Sequence, residues 1–287
     1  MTLARLRGQS IGYALIAPAV LAAVVFLFVP MLLSAYWSFT DYNGVKPPTW
    51  VGLDNYATLL GNARFQRSFW NTVAFVIMGM GLGPPLGLAS ALLLNRAMRF
   101  RGLFRVAFFL PVMTSLVVVA TIWKMLYNEN GLVNDTLGLF ALPGHNWLSD
   151  PNTALPAIVV ASVWQGFGFE TVVFLAALGG IPRDYYDAAR VDGAGRWAQF
   201  RYVTLPGLRP TILFVYIVGI IGSFQVFDQI FVMTQGGPVN ATRTLVFHLY
   251  DKFNSFSLGE ASAVAYILFV FLAALSWIQF RFFGERG

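Results

Sequence analysis

Residues 13–39 read YALIAPAVLAAVVFLFVPMLLSAYWSF, a run without one charged side chain. As a helix rising 1.5 Å per residue, such a run is long enough to cross ~30 Å of hydrocarbon. Comparable runs recur at Trp70 to Leu94, Val106 to Trp123, Ala154 to Leu178, Thr211 to Met233 and Ala261 to Phe280. Of the 287 residues 57% are hydrophobic and 11% are charged, against roughly a quarter charged in an ordinary soluble domain. Apolar residues gathered into runs of this length suit a bilayer better than one large core. Backbone groups without partners are costly in hydrocarbon, so the spans are expected as helices, six in number, in an all-α membrane protein.

The first run follows Arg5 and Arg7, as the core of a secretory signal would. A signal core of about 7–15 residues ends at a small-residue cleavage site, whereas this one continues into Tyr36, Trp37 and Phe39. It is therefore expected to be a retained first span. Alternating the spans across the membrane puts Arg5, Arg7, Arg96, Arg99, Arg101, Arg105, Arg183, Arg190, Arg196, Arg201, Arg209, Arg281 and Arg286 on one side. The other side receives Lys46, Arg64, Arg67, Arg243 and Lys252, with Lys124 near the end of the third span. Basic loops stay in the cytoplasm, so both termini are predicted there. The net charge of +6 is spread over short loops rather than one patch, which argues against nucleic-acid binding. Tyr36, Trp37, Trp70, Trp123, Tyr127 and Trp277 fall near span ends, where amphipathic rings sit at headgroup level.

Several chemistries find no residues. Cysteine is absent, which excludes a disulfide framework, a thiolate metal site and a cysteine nucleophile. His145 and His248 fall in outer loops with no partner at metal-ligand spacing, and no nucleophile and base stand together. Gly79, Gly83 and Gly87 recur every four residues in the second span. With no basic residue beside them they do not make a phosphate loop, and they suit close helix packing. One transmembrane domain is predicted, without internal repeats, and the loop 179–208 carries most of the information.

That loop reads Ile181-Pro182-Arg183-Asp184-Tyr185-Tyr186-Asp187-Ala188-Ala189-Arg190-Val191-Asp192-Gly193-Ala194-Gly195-Arg196-Trp197 and continues to Val203-Thr204-Leu205-Pro206. Proline suits a first helical turn and glycine a helix end. A short helix outside the membrane is predicted, its small Ala188 and Ala189 allowing close approach by another surface, with a second helix ended by Leu205-Pro206. A generic amphipathic surface loop is the plainer alternative.

An acidic residue with Ala-Ala, three residues, Gly, nine residues, and a branched aliphatic one position before Leu-Pro resembles the cytoplasmic signature of binding-protein-dependent ABC importer permeases. Asp187 stands where that family usually has Glu, and Val203 where Ile is usual. The resemblance extends over Ala17-Pro18-Ala19 through Asp41-Tyr42, Val51-Gly52-Leu53-Asp54-Asn55-Tyr56 through Asn71-Thr72, and Phe224-Gln225-Val226-Phe227-Asp228-Gln229 through Gly236-Gly237-Pro238. Order and spacing narrow it to carbohydrate importers of the maltose and glycerol-phosphate type. It implies a type I importer bundle of six transmembrane helices in a bacterial inner membrane. A second permease subunit, two ATP-binding subunits inside and a periplasmic or lipid-anchored solute-binding protein outside are its implied partners. No cofactor is implied in this chain, ATP and Mg belonging to the partner subunits. Asp187, Ala188, Ala189, Gly193, Leu205 and Pro206 would then form the coupling segment that seats on an ATPase.

Ionisable groups inside spans are expensive and so usually functional, which singles out Glu170, Asp228 and Lys124. A sugar needs amides, hydroxyls and an aromatic face, and spans four and five offer them around Trp164 and Gln225. The resemblance to the maltose permease carries substrate contacts to Gln165, Gly166, Phe169, Ser223 and Val226, with Gln225 and Asp228 beside them. Valine at the last of these positions departs from the amide expected there. Ordinary interhelical hydrogen bonds account for the Gln and Ser side chains equally well. An ion-gradient carrier working through Glu170 or Asp228 is the alternative class, and it would call for inverted repeats and broken helices, neither of which the sequence displays. A permease for amino acids or another small solute is a further alternative.

Overall fold

The computed structural model describes residue 13, residues 15–95 and residues 101–283. Arg5, Arg7, Arg96, Arg99 and Arg286, which carry part of the charge asymmetry, lie outside the described residues. Contacts group the chain into two compact units. One holds the chain up to Asn62 with Leu249–Ile267, the other Ala63–His248 with the chain from Leu268 onward.

In the first unit, α1 (Leu15–Trp37) contains a π-helical turn at Val24–Phe28. Pro30 has no N–H and its ring needs room, and the turn before it widens so that Val29 N–H reaches Val24 O. None of the apolar window of α1 is buried by the rest of the chain. A two-residue hairpin follows, β1 (Thr40–Asp41) against β2 (Thr49–Trp50), antiparallel with Thr40 opposite Trp50. Asn55 on α2 (Asp54–Gly61) donates to the carbonyls of Ser38 and Thr40, both at 2.9 Å. Gly259 presses so closely on this corner that a Cβ there would lie 2.1 Å from Thr40 O.

The second unit is built on α3 (Ala63–Asn95) and α7 (Ala154–Gly180). Between them come α4 (Arg101–Met113), α5 (Leu116–Leu126) and α6 (Leu132–Leu139). After α7 come α8 (Arg183–Val191), α9 (Arg196–Gly207), α10 (Arg209–Phe224) and α11 (Asp228–Met233). The last helices are α12 (Leu245–Asn254) and α13 (Leu258–Phe283). Over half of the apolar window of α7, 56%, is buried against 33% for α3, which makes α7 the central helix. In lipid, apolar surface gains little by leaving the solvent, so packing holds such helices together and small residues mark where they meet. The glycine stripe does this: a Cβ on Gly87 would lie 2.6 Å from Cβ of Glu170, and one on Gly83 3.1 Å from both its carboxylate oxygens. Phe75, Ala120, Ile158, Ala161 and Ile230 pack at one end of α7, and Ala91, Phe174, Leu178, Leu208 and Val215 at the other.

Four described helices are long and apolar enough to cross a membrane: α1, α3, α7 and Leu258–Arg281 of α13. Two more stretches reach that length only as bent pairs, Gly102–Met113 with Leu116–Leu126 at 100° and Arg196–Gly207 with Arg209–Phe224 at 63°. The third predicted span, Val106 to Trp123, is therefore not one straight helix. Pro111 supplies no N–H, Thr114 folds its hydroxyl back to Leu110 O at 3.1 Å, and Ser115 leaves the helical region with ψ 135°. The fifth, Thr211 to Met233, is also interrupted, since α10 ends at Phe224 and α11 starts at Asp228. The expectation that no helix is broken fails at both places.

One polar side chain organises the segment between α5 and α7. Asn134, almost wholly buried, donates to the carbonyls of Asn128, Glu129 and His145 at 3.3, 3.1 and 3.0 Å. Its Oδ1 accepts from His145 N–H at 3.0 Å and the Trp147 indole at 2.9 Å. Asn134→Leu keeps the volume and leaves these groups unpaired at ~1–3 kcal/mol each. We expect a fall of several degrees in the melting temperature of the purified protein, and an unchanged melting curve would show that the network contributes nothing.

Candidate functional site

Where α10 stops, Gln225 and Val226 close a tight turn, their N–H groups donating to Gly222 O at 3.1 Å and Ser223 O at 3.3 Å. Val226 O accepts the Thr244 hydroxyl at 3.2 Å, so the interrupted backbone finds a partner within the protein, as membrane depth requires. Beside the turn lies an open cavity of about 330 Å³ bordered by α3, α7, α10 and the start of α11, with Leu116 of α5. That volume is at the small end of the range for small-molecule sites. Gly79, Gly83, Gly219 and Gly222 keep two of its walls low.

Of the predicted substrate contacts, Gly166, Phe169, Ser223, Gln225, Val226 and Asp228 all line this cavity. Phe169 offers an exposed ring face, Gln225 is exposed and Ser223 and Asp228 are half-buried. Gln165 does not line it. It is buried behind the wall, where its Nε2 donates to Thr114 O at 3.1 Å and its Oε1 accepts from Gln229 Nε2 at 3.4 Å. Gln165 thus ties together the two helix breaks, the interhelical role that the sequence left open. Gln229 and Ser162 also line the cavity and were missed. Gln229 stood next to the quoted Asp228, and a helix start at Asp228 would have brought it inward. Glu170 was singled out for charge, and it too belongs to the wall. Lys124 instead donates to Val232 O at 3.2 Å.

A second group of predicted residues meets around α8. Pro182 caps the helix with ψ 136°, and Gly193 ends it with φ +78°. Gly193 N–H bonds Arg190 O at 3.0 Å and Ala194 N–H bonds Ala189 O at 2.8 Å, the paired closure of a Schellman motif. Asp187 forms an ion pair with Arg190 one turn on. Tyr186 Oη lies 3.0 Å from Thr204 Oγ1 and the Gln199 amide donates to Ala194 O at 2.9 Å, which fastens α8 to α9. Pro206 lies inside the last turn of α9, which runs to Gly207, so Leu205-Pro206 precedes the helix end by one residue. Asp187, Ala188 and Gly193 are exposed, with Ala189 and Leu205 half-covered. Around them Tyr185, Val191, Trp197 and Tyr202 stand 62%, 89%, 74% and 75% exposed. Four large aromatic and aliphatic side chains thus stand exposed on one small hairpin.

No group of three or more metal-ligating side chains occurs among the described residues. His145 Nε2 lies 3.1 Å from Asp150 Oδ2. His248 is not in a loop as predicted but buried on α12, beside Phe65.

Long apolar helices around a polar, interrupted centre fit a multi-pass membrane protein. Residues 83–282 match the family described as binding-protein-dependent transport system inner membrane component, and the chain belongs to that family. It is a transport component and not an enzyme. Among its relatives are the lactose transport system permease protein LacF of Rhizobium radiobacter, 34% identical over 96% of this chain and 94% of that one, and the trehalose/maltose transport system permease protein MalF of Thermococcus litoralis, 33% identical over 96% and 94%. The fold is that of a chain in a bacterial alginate ABC transporter solved with an alginate pentasaccharide-bound periplasmic protein, at a TM-score of 0.85, 24% identity, and 96% and 94% coverage.

Proposed function

We propose that this chain is the permease subunit of an ATP-binding-cassette importer that carries a sugar or sugar derivative across the inner membrane by alternating access. The observation that carries this is the cavity at the α10–α11 break. Its lining combines amides, hydroxyls and the Phe169 ring, the groups that a neutral polyol needs, and four of the five positions expected from the resemblance line it, together with Gln225 and Asp228. The names of the relatives, lactose and trehalose/maltose permeases, support the same substrate class.

In this reading the bent pair α4–α5 is one span and α10 with α11 another, giving six spans with both termini in the cytoplasm, while α9 stays in the cytoplasmic loop 179–208. The hairpin of α8 and α9 then projects inward, and Asp187, Ala188, Ala189, Gly193, Leu205 and Pro206 seat it on one of two ATP-binding subunits. Its exposed Tyr185, Val191 and Trp197 supply the buried contact such a joint needs. A second permease subunit completes the pathway, and a binding protein delivers solute from outside. ATP and Mg act on the partner subunits.

Broken spans are a property of gradient-driven carriers as well. Energy source separates the two. In proteoliposomes holding the whole complex, uptake of a labelled sugar from a panel of aldoses and disaccharides is expected to require internal ATP and external binding protein, and to survive collapse of the proton gradient. Uptake without ATP that stops with the gradient would overturn the proposal.

A further inference from the structure

Glu170 is 9% exposed, and its Oε2 is buried without a hydrogen-bond partner. The space for it is made by glycine: any side chain at Gly83 or Gly87 would run into it. A carboxylate in a niche two glycines wide, with an unmet acceptor, costs the fold stability that ordinary packing would not. Glu170 also lines the cavity described above, and Asp228 is the second carboxylate in that wall. Its remaining polar side chains are the neutral Ser162, Ser223, Gln225 and Gln229, and no Lys, Arg or His is among the lining residues.

We infer that Glu170 and Asp228 make this cavity a charge filter: it takes neutral, hydroxyl-rich or amine-bearing solutes and turns away those carrying a carboxylate or phosphate. The inference rests on this cavity being the transport site, and adds to that reading the charge class of the solute. Two acidic side chains in a cleft that holds no base raise the local concentration of cations over anions when ionised, by ~10–10³-fold for a focused field of one sign. The Asp228 oxygens accept hydrogen bonds from sugar hydroxyls or an ammonium group, Glu170 with its buried Oε2 acts through its charge, and neither has anything to offer an anion.

Because the chain has no cysteine, Ser223→Cys places a single reporter thiol of this chain in the cavity wall. The assembled transporter is treated with methanethiosulfonates of similar size, the cationic trimethylammonium-ethyl and the anionic sulfonato-ethyl reagents. Labelling of this chain is read by mass and each rate is divided by that for β-mercaptoethanol in solution. The ratio of the two normalised rates cancels any change in the thiol's own reactivity. A cation preference of about tenfold or more is expected. Glu170→Gln with Asp228→Asn should bring it close to one, and Asp228→Asn alone, which leaves the glycine niche untouched, should lower it part of the way. A ratio near one in the protein with both carboxylates, or one that does not move in the variants, overturns the filter and leaves the transport site standing. No labelling by either reagent in any nucleotide state overturns the transport site as well.

Discussion

Gly193→Glu is expected to abolish uptake in a complex whose permease still reaches the membrane at close to its normal level. At φ +78° a residue with a side chain is strained by ~1–2 kcal/mol, which frays the end of α8 without unfolding the bundle. Nothing lies within 4 Å of a Cβ built there, so the new side chain meets no part of its own chain. On the proposed docking it enters the space where an ATP-binding subunit would sit, and adds negative charge next to Asp192. Loss of a central contact worth ~2–3 kcal/mol lowers productive coupling by roughly a hundredfold. Gly193→Ala, which brings the strain without bulk or charge, should retain part of the activity. The measurement is ATP-driven uptake set against the immunoblotted amount of permease, and wild-type uptake in the glutamate variant would remove the docking role from α8.

Gly168→Val is expected to prevent recovery of a folded, monodisperse protein. A Cβ at Gly168 would sit 1.9 Å from Phe108 O and 2.9 Å from its carbonyl carbon. Backbone of α4 cannot rotate out of the way as a side chain can, so α4 must separate from α7 along its length. Overpacking of this kind costs about 3 kcal/mol or more, a large part of the stability of a typical domain. Two residues earlier, Gly166 has nothing within 4 Å, and Gly166→Ala should leave thermal stability within ~0.5 kcal/mol of the parent. Size-exclusion profiles and melting curves of the two variants in detergent decide the matter: similar behaviour would mean that α4 and α7 are not in contact as described.

The apolar runs placed the helices because length and lack of charge are properties of the sequence alone. The cap of α8 was equally legible, since proline and glycine act through their own backbones. The bends were not. Hydropathy does not register the interruption at Gln225–Phe227, because Val226 and Phe227 are as apolar as any helical residue, and Pro111 announces a disturbance without its angle. The glycine stripe was readable as a packing surface, yet nothing in its spacing named Glu170 as the side chain it accommodates. For the same reason Gln165 read as a solute contact: its chemistry fits both roles, and only the position of Thr114 O and Gln229 shows which neighbours it serves. His248 was assigned to a loop because the sequence from Leu245 on is short and mixed, whereas packing against Phe65 carries it inward.

Leu208, fully buried between α9 and α10, sits where these helices meet at 63°. α10 is 16 residues long, so on the proposed mechanism a pivot at Leu208 would give it a lever arm of ~24 Å. A swing of about 5° at that pivot carries Ser223 sideways by ~2 Å. Displacement of that size is comparable with the radius of a water molecule, so a motor stroke too small to disturb the packing around Phe174 can still decide which side of the membrane wets the cavity.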